Sequence, residues 1–369
     1  MCKNILIKNS ILLVGILMIS CGRSSVSDYM ILDEIKYVTV FPHNFSLDEV
    51  VDVELDVELD IIGVNSFRIY DSLLILSTSD RDGLWSFVSL PDYTFLGKFL
   101  TIGQGPFEFS QSISVEHGDL KLFNDNNELF AAIYNFHNGN LYMMNVDKSI
   151  ADNKLNICTF NDSLPRTLFN FAMLDSSTFL CREINFNRTQ QNRYVLSNGT
   201  TINLTHLDKL NLSSVRQNEN FNILATDIKH NSENNLIIEM PIYLNYLNLY
   251  SLDGSFGQTI CIGNNLDNIS KIMYKKEGDR IYTFSNLRLF SKYWGVLHIN
   301  EDWNTFETER KRLPDILLFD WNGDPLAKIK LSRFATSFDI DFVNGFLYTL
   351  DTPTDRFFKY NIRDILEKL

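Results

Sequence analysis

Beyond the first thirty or so residues, apolar and aromatic runs of five to seven residues alternate with short clusters of Gly, Asn, Asp and Ser. No stretch carries a sustained helical stripe until the final residues, Ile362 to Leu369. Short apolar runs punctuated by turn formers predict strands joined by tight turns, an all-β chain. The runs also repeat. A turn followed by a strand with an aliphatic or aromatic start recurs at Leu73, Leu120, Phe179, Leu236, Val296 and Phe346, about 55 residues apart. After each comes a polar loop, a second strand, a tight turn and a further strand. Four strands per unit and six units predict a six-bladed β-propeller of four-stranded antiparallel blades.

The sixth unit ends without room for an outer strand, whereas Val51 to Asp60 (VDVELDVELD) precedes the first unit as a spare one. We expect it to close the ring as the outermost strand of the last blade. Its alternation puts Val51, Val53, Leu55, Val57 and Leu59 on one face and five carboxylates on the other. Carboxylates about 7 Å apart along a strand do not converge as Ca²⁺ ligands do, so a solvated outer face is expected.

The N-terminus reads as an address. Lys3 and Lys8 precede an apolar run at 11–19, then Ser20 and Cys21. The run is too short to span a membrane and has the layout of a secretory signal. Met18-Ile19-Ser20-Cys21 resembles a bacterial lipobox, with Met in place of the usual Leu. The resemblance implies cleavage before Cys21, diacylglycerol on its thiol and an acyl chain on the new amine. The expected layout is a lipoprotein signal peptide at 1–20, a lipidated Cys and polar tether at 21–35, and the propeller at 36–369. Three acyl chains exceed what stable anchoring requires, which places the protein in the cell envelope with the membrane as a partner through its lipid. The net charge of −13 excludes a duplex nucleic-acid partner. Cys158, Cys181 and Cys261 form no CxxC pair and read as buried single thiols.

The segment Thr101 to Phe109, TIGQGPFEF, carries a GxGPxEF element. With the lipobox, it resembles the TolB-like six-bladed β-propeller lipoproteins of Bacteroidetes, in which this element joins one blade to the next. Physically, Gly103 and Gly105 permit positive φ and close backbone approach, and Pro106 fixes the turn. Phe107 and Phe109 are placed to wedge between blades, and Glu108 to accept backbone N–H groups. The resemblance implies fold and location rather than chemistry.

In a propeller whose strands A to D run outward, the B–C and D–A loops share one end of the ring. The longer loops are expected there, where ligand binding is usually built. They supply the candidates Asp80, Arg81, Asp82, Gln104, Glu108, Asn124, Asp125, Trp303, Arg310, Asp351, Asp355 and Arg356. An aromatic beside cations suits a glycan or a peptide, although Asp, Asn and Gly also form such loops as turn residues alone. Zinc-hydrolase spacings of histidine, GxSxG and phosphate-binding glycine loops are absent. Asp339 and Asp341 alternate in the presumed inner strand of the last blade; hydrogen bonding between blades or solvation is their default role and metal binding the alternative.

The sequence therefore points to a non-catalytic binding or assembly module without a cofactor, for a protein or glycan partner on the long-loop end. A divalent-metal-dependent hydrolase, lactonase or lyase with its site in the central channel is the second reading, and a structural envelope component the third.

Overall fold

A computed structural model describes residues 26–32, 37–116, 120–162, 164–166 and 168–369. The expected signal segment and Cys21 lie outside the described residues. Three short strands precede the ring: β1 (Tyr37–Val40), β2 (Leu47–Val51) and β3 (Leu55–Val57). Blade 1 holds β4 (Val64–Tyr70), β5 (Leu73–Thr78), β6 (Trp85–Ser89) and β7 (Phe95–Phe99). Blade 2 holds β8 (Leu120–Asp125), β9 (Glu128–Asn135), β10 (Asn140–Asn145) and β11 (Ile157–Asn161). Blade 3 holds β12 (Leu168–Met173), β13 (Thr178–Asn185), β14 (Gln190–Ser197) and β15 (Thr200–Asn203). Blade 4 holds β16 (Thr226–Asn231), β17 (Leu236–Pro241), β18 (Tyr246–Ser251) and β19 (Gly257–Ile262). Blade 5 holds β20 (Ile281–Leu289), β21 (Tyr293–Asp302), β22 (Asp315–Asp320) and β23 (Pro325–Leu331). Blade 6 holds β24 (Ser337–Asp341), β25 (Phe346–Asp351) and β26 (Arg356–Asn361), with β3 as its fourth strand. The fold is a six-bladed β-propeller.

The runs are apolar throughout, rather than alternating, because each blade is covered on both faces. In β17, Ile237 packs with blade 3 and its neighbour Ile238 with blade 5. Six buried apolar clusters result, each astride one blade boundary. The last of them closes the ring, joining Phe67, Leu74 and Val88 of blade 1 to Tyr348, Leu350 and Phe357 of blade 6.

The N-terminal segment does more than close blade 6. β1 pairs parallel with β19 and β2 parallel with β23, giving blades 4 and 5 a fifth strand, before β3 pairs antiparallel with β26. The expected single strand at Val51 to Asp60 is thus divided between two blades. Val51 and Val57 are buried against them, Leu55 is exposed, and all five carboxylates face outward. The crossing is fixed by Val53 N–H donating to Ser332 Oγ at 3.2 Å and Glu54 N–H to the Lys359 carbonyl at 2.8 Å. Cations at the blade edges meet the strap's acids: Lys330 with Asp48 at 2.7 Å, Lys359 with Glu54 at 3.2 Å, and Arg356 with Asp56.

The GxGPxEF element packs as a hinge between blades 1 and 2. Phe107 and Phe109 both meet the Tyr142 ring edge-on, at 5.5 and 5.8 Å. Glu108 Oε2 accepts the Gly105 N–H at 2.6 Å. Neither Gly103 nor Gly105 has a positive φ. A Cβ at Gly103 would stand 1.9 Å from Glu108 Oε2, so any side chain there would have to displace that carboxylate from the Gly105 N–H.

Candidate functional site

Antiparallel alternation puts the A–B and C–D turns at one end of the ring and the B–C and D–A connections at the other. One expected position changes. The run at Leu120 is the innermost strand of blade 2, not its second strand, so Asn124 and Asp125 end that strand beside an A–B turn, at the end opposite the long loops. Ahead of that strand, Ser112 to Glu116 runs inward along blade 1. Ser112 Oγ donates to the Thr78 carbonyl at 2.9 Å, and Val115 N–H to Ser66 Oγ at 3.1 Å.

That inward run delivers Glu116 to the axis, where it joins groups of blades 1, 4, 5 and 6 in a charged plug. Arg288 of β20 donates through Nη2 to Glu116 Oε1 at 3.1 Å and to the Phe67 carbonyl at 2.7 Å. Its Nε donates to the Phe338 carbonyl at 2.7 Å and lies 3.8 Å from Asp339 Oδ2. Lys229 Nζ donates to the carbonyls of Leu287, at 2.6 Å, and Glu116. Asp339 also accepts the Ile69 N–H at 2.9 Å, whereas Asp341 accepts from Asn344. The two carboxylates therefore do not converge, and no group of three His, Cys, Asp or Glu is arranged to hold a metal among the described residues.

Above the plug, the long-loop end opens into a cavity of about 480 Å³. One wall is aromatic. Tyr243, in the loop between β17 and β18, donates its hydroxyl to Tyr282 of β20 at 3.1 Å. The Tyr282 ring lies 4.7 Å from that of Trp303. Trp303 opens a helix, Trp303–Thr308, whose start is fixed by Asp302 Oδ1 accepting the Thr305 N–H at 3.0 Å. Phe136, from the B–C turn of blade 2, is exposed at the same cavity.

The floor is polar and comes mainly from the innermost strands of blades 3 to 5: Asn170, Thr226, Asp227 and Asn286, with Arg182 from β13. Arg182 is fully buried and donates to the Thr226 hydroxyl and, at 2.8 Å, to its carbonyl. Two of these strands are irregular where they meet the cavity. Register shifts between Leu168 and Asn170 and between Ser285 and Arg288, and Asn286 has φ +53°. Bulges re-aim side chains at binding sites. Asn286 spends its Oδ1 on the Phe338 N–H at 3.0 Å. Asn170 Oδ1 is buried with no partner among the described residues, a costly state for an acceptor.

Beneath this floor, Arg193 Nε reaches Glu239 Oε2 at 2.8 Å and Oε1 at 3.0 Å, and Thr226 Oγ1 donates to Glu239 Oε1 at 2.8 Å. Burial opposes ionisation of Glu239, but Arg193 and Arg182 hold its carboxyl below the usual value.

Of the residues expected at the site, the structure brings Trp303 to the cavity. Arg310 instead forms a two-point pair with Asp351, at 2.9 and 3.0 Å, and lies over the Phe334 ring at 4.6 Å. Asp355 accepts the N–H groups of Gly63 and Val64, both at 2.9 Å, tying blade 6 to blade 1. Arg356 pairs with Asp56. Asp80 receives Lys98 at 2.7 Å and the Asp82 N–H at 3.0 Å, which is turn chemistry. Arg81, Asp82 and Gln104 are exposed at the long-loop end. Cys181 and Cys261 are buried, and burial pushes their thiols up to about 12 and about 11; Cys158 is exposed rather than buried.

His298, half-buried in β21, is held neutral by burial and by Arg312 and Lys328, its pKa lowered from 6.5 to about 4. A lowered histidine means that the unfolded chain binds the proton first, so stability falls as pH drops from 6.5 towards 4. His298→Phe is expected to flatten that part of a melting-temperature profile, and an unchanged slope would contradict this assignment.

No protein-family model matches this chain, and no curated relative matches it. Among solved structures, it is similar to a member of the DUF4221 family from Bacteroides vulgatus, with 10% identity over 85% of this chain and 98% of the other and a TM-score of 0.47. It is also similar to a Bacteroides fragilis protein described as exported, at 11% identity over 85% and 98% with a TM-score of 0.46. A further likeness is to a Bacteroides ovatus protein described as an auxiliary nutrient binding protein, at 10% identity over 88% and 75% with a TM-score of 0.41. These are likenesses of overall architecture only.

Proposed function

We propose that this chain is a lipid-anchored envelope protein, of the TolB-like lipoprotein kind, whose propeller is a non-catalytic module that binds a neutral glycan at the long-loop mouth of its axis. The observation that carries this reading is the cavity itself, with Tyr243, Tyr282 and Trp303 forming one wall over a floor that includes the unpartnered Asn170 Oδ1. An aromatic face covers the C–H surface of a sugar ring, and planar amide and guanidinium groups orient its hydroxyls. A sugar hydroxyl donating to Asn170 would satisfy the orphaned acceptor. The lipobox and the GQGPFEF element support the anchoring and the family resemblance.

Isothermal titration of residues 26–369 with neutral oligosaccharides tests the reading. Saturable binding is expected, weakened about tenfold by Trp303→Ala, the loss of roughly one aromatic stacking contact. Equal affinity in the two proteins would remove the cavity from the account.

A further inference from the structure

The opposite end of the axis, beneath the charged plug, has a mouth of its own. A concavity of about 280 Å³ opens there among the far ends of the innermost strands, lined by Arg68, Lys121, Lys229, His230, Ser232 and Ser291. We propose that this mouth binds a small oxyanion, a phosphate, sulfate or carboxylate group held by Arg68, Lys121 and Lys229.

The state of these cations supports the assignment. Arg193, Arg288 and Arg310 each have a carboxylate within ion-pair distance. Among the described residues Arg68 has none, and its guanidinium donates no hydrogen bond to them, although it is only partly exposed at the channel end. Among the described residues Lys121 Nζ donates to the carbonyls of Met173 and Leu174, at 2.9 and 3.3 Å, with Asp175 the nearby opposite charge. Lys229 likewise spends its protons on carbonyls, with Asp227 at 3.8 Å. Carbonyls satisfy N–H groups but carry no net negative charge, so even with Asp227 3.8 Å from Lys229 the mouth holds more positive than negative charge among the described residues, which is costly to bury. The acid at the mouth, Glu233, is engaged by the Ser291 hydroxyl at 3.0 Å.

The electrostatics agree. Burial, then the like charge of Arg288, lowers Arg68, while Asp339 and Asp227 oppose the shift. Burial lowers Lys229 to about 8, with Arg68 and Arg288 adding to the effect while Asp227 and Glu116 oppose it. An anion in the mouth would relieve both groups. Three cations gathered in one concavity also stand against a chain of net charge −13. A guanidinium fork beside ammonium groups and two hydroxyls matches the geometry of an oxyanion. This site is independent of the glycan reading, because Trp303 and the aromatic wall are at the other end.

The test uses the full mature chain in a nonionic detergent, titrated with sodium phosphate, sulfate or acetate against sodium chloride at equal ionic strength. The expected result is saturable binding and a raised melting temperature with at least one oxyanion, no matching response to chloride, and a dissociation constant raised at least ~10-fold by Arg68→Gln. Lys121→Gln serves as a second variant should Arg68→Gln not fold, and Trp303→Ala is expected to leave the response intact. Vesicles containing phosphatidic acid, offered to residues 26–369 without the lipid anchor, identify the source, since capture lost in Arg68→Gln would supply the same anion as a lipid headgroup. A response that follows ionic strength alike in every salt, or one unchanged in both Arg68→Gln and Lys121→Gln, overturns the proposal.

Discussion

Removing residues 26–60 is expected to abolish the cooperative melting of the ring. The strap formed by β1, β2 and β3 lies on the outer strands of blades 4 and 5 and supplies the fourth strand of blade 6. Without it, three consecutive blades present open edges, and the boundary between blades 6 and 1 loses Val57. Open edges pair with other chains, so the truncated protein should aggregate on refolding as well as melt earlier. A graded version is Val57→Asp, which puts an unpaired carboxylate into that buried boundary. It is expected to cost at least about 3 kcal/mol in a denaturant titration of the otherwise intact protein. Unchanged melting of the truncated ring, with the same monomeric mass, would show that the strap is an accessory.

A second large effect is expected at the Arg193–Glu239 pair. Both side chains are almost fully buried, and Glu239 also accepts from Thr226, which receives Arg182. Glu239→Leu leaves two guanidinium groups facing each other without a carboxylate, so unfolding free energy should fall by about 3–5 kcal/mol. Adding Arg193→Met should recover part of that loss, because the destabilising element is the uncompensated charge rather than the missing contact. Acid titration gives an independent reading. The Glu239 carboxyl is lowered in the fold, so its contribution is complete above the unfolded carboxyl's value of about 4.3 and is lost as pH falls through the folded value. The acid-unfolding limb of the wild type should contain this component, and Glu239→Leu should lack it. Additive losses in the double variant would contradict the account.

The architecture was legible because turn chemistry and strand length survive in each unit, and because continuous apolar runs mark blades buried on both faces. The register of blade 2 was not. Its innermost strand, β8, begins at Leu120 and reads like the second strand of other blades. The alternation of Val51 to Asp60 foretold which side chains face outward but not the division between two blades, which depends on the span the chain must cross.

For the site, the sequence pointed to Trp303 through the long loop that carries it. It gave no local sign of Asn170, Asp227 or Asn286, since the floor is assembled from three strands more than fifty residues apart in the chain. A weaker signal was present. Glu239 is a charged residue in an otherwise apolar strand, LIIEMP, and such residues are buried only when paired, here with Arg193. It marks the network beneath the floor and, through it, the position of the cavity.

The measurement that bears most directly on the central claim is hydrogen exchange of residues 26–369 with and without a saturating neutral oligosaccharide. The account predicts slowed exchange confined to peptides covering 222–227, 240–243, 282–286 and 303, the backbone around the long-loop mouth. Protection elsewhere on the ring with these peptides unaffected, or none at ligand saturation, would contradict it.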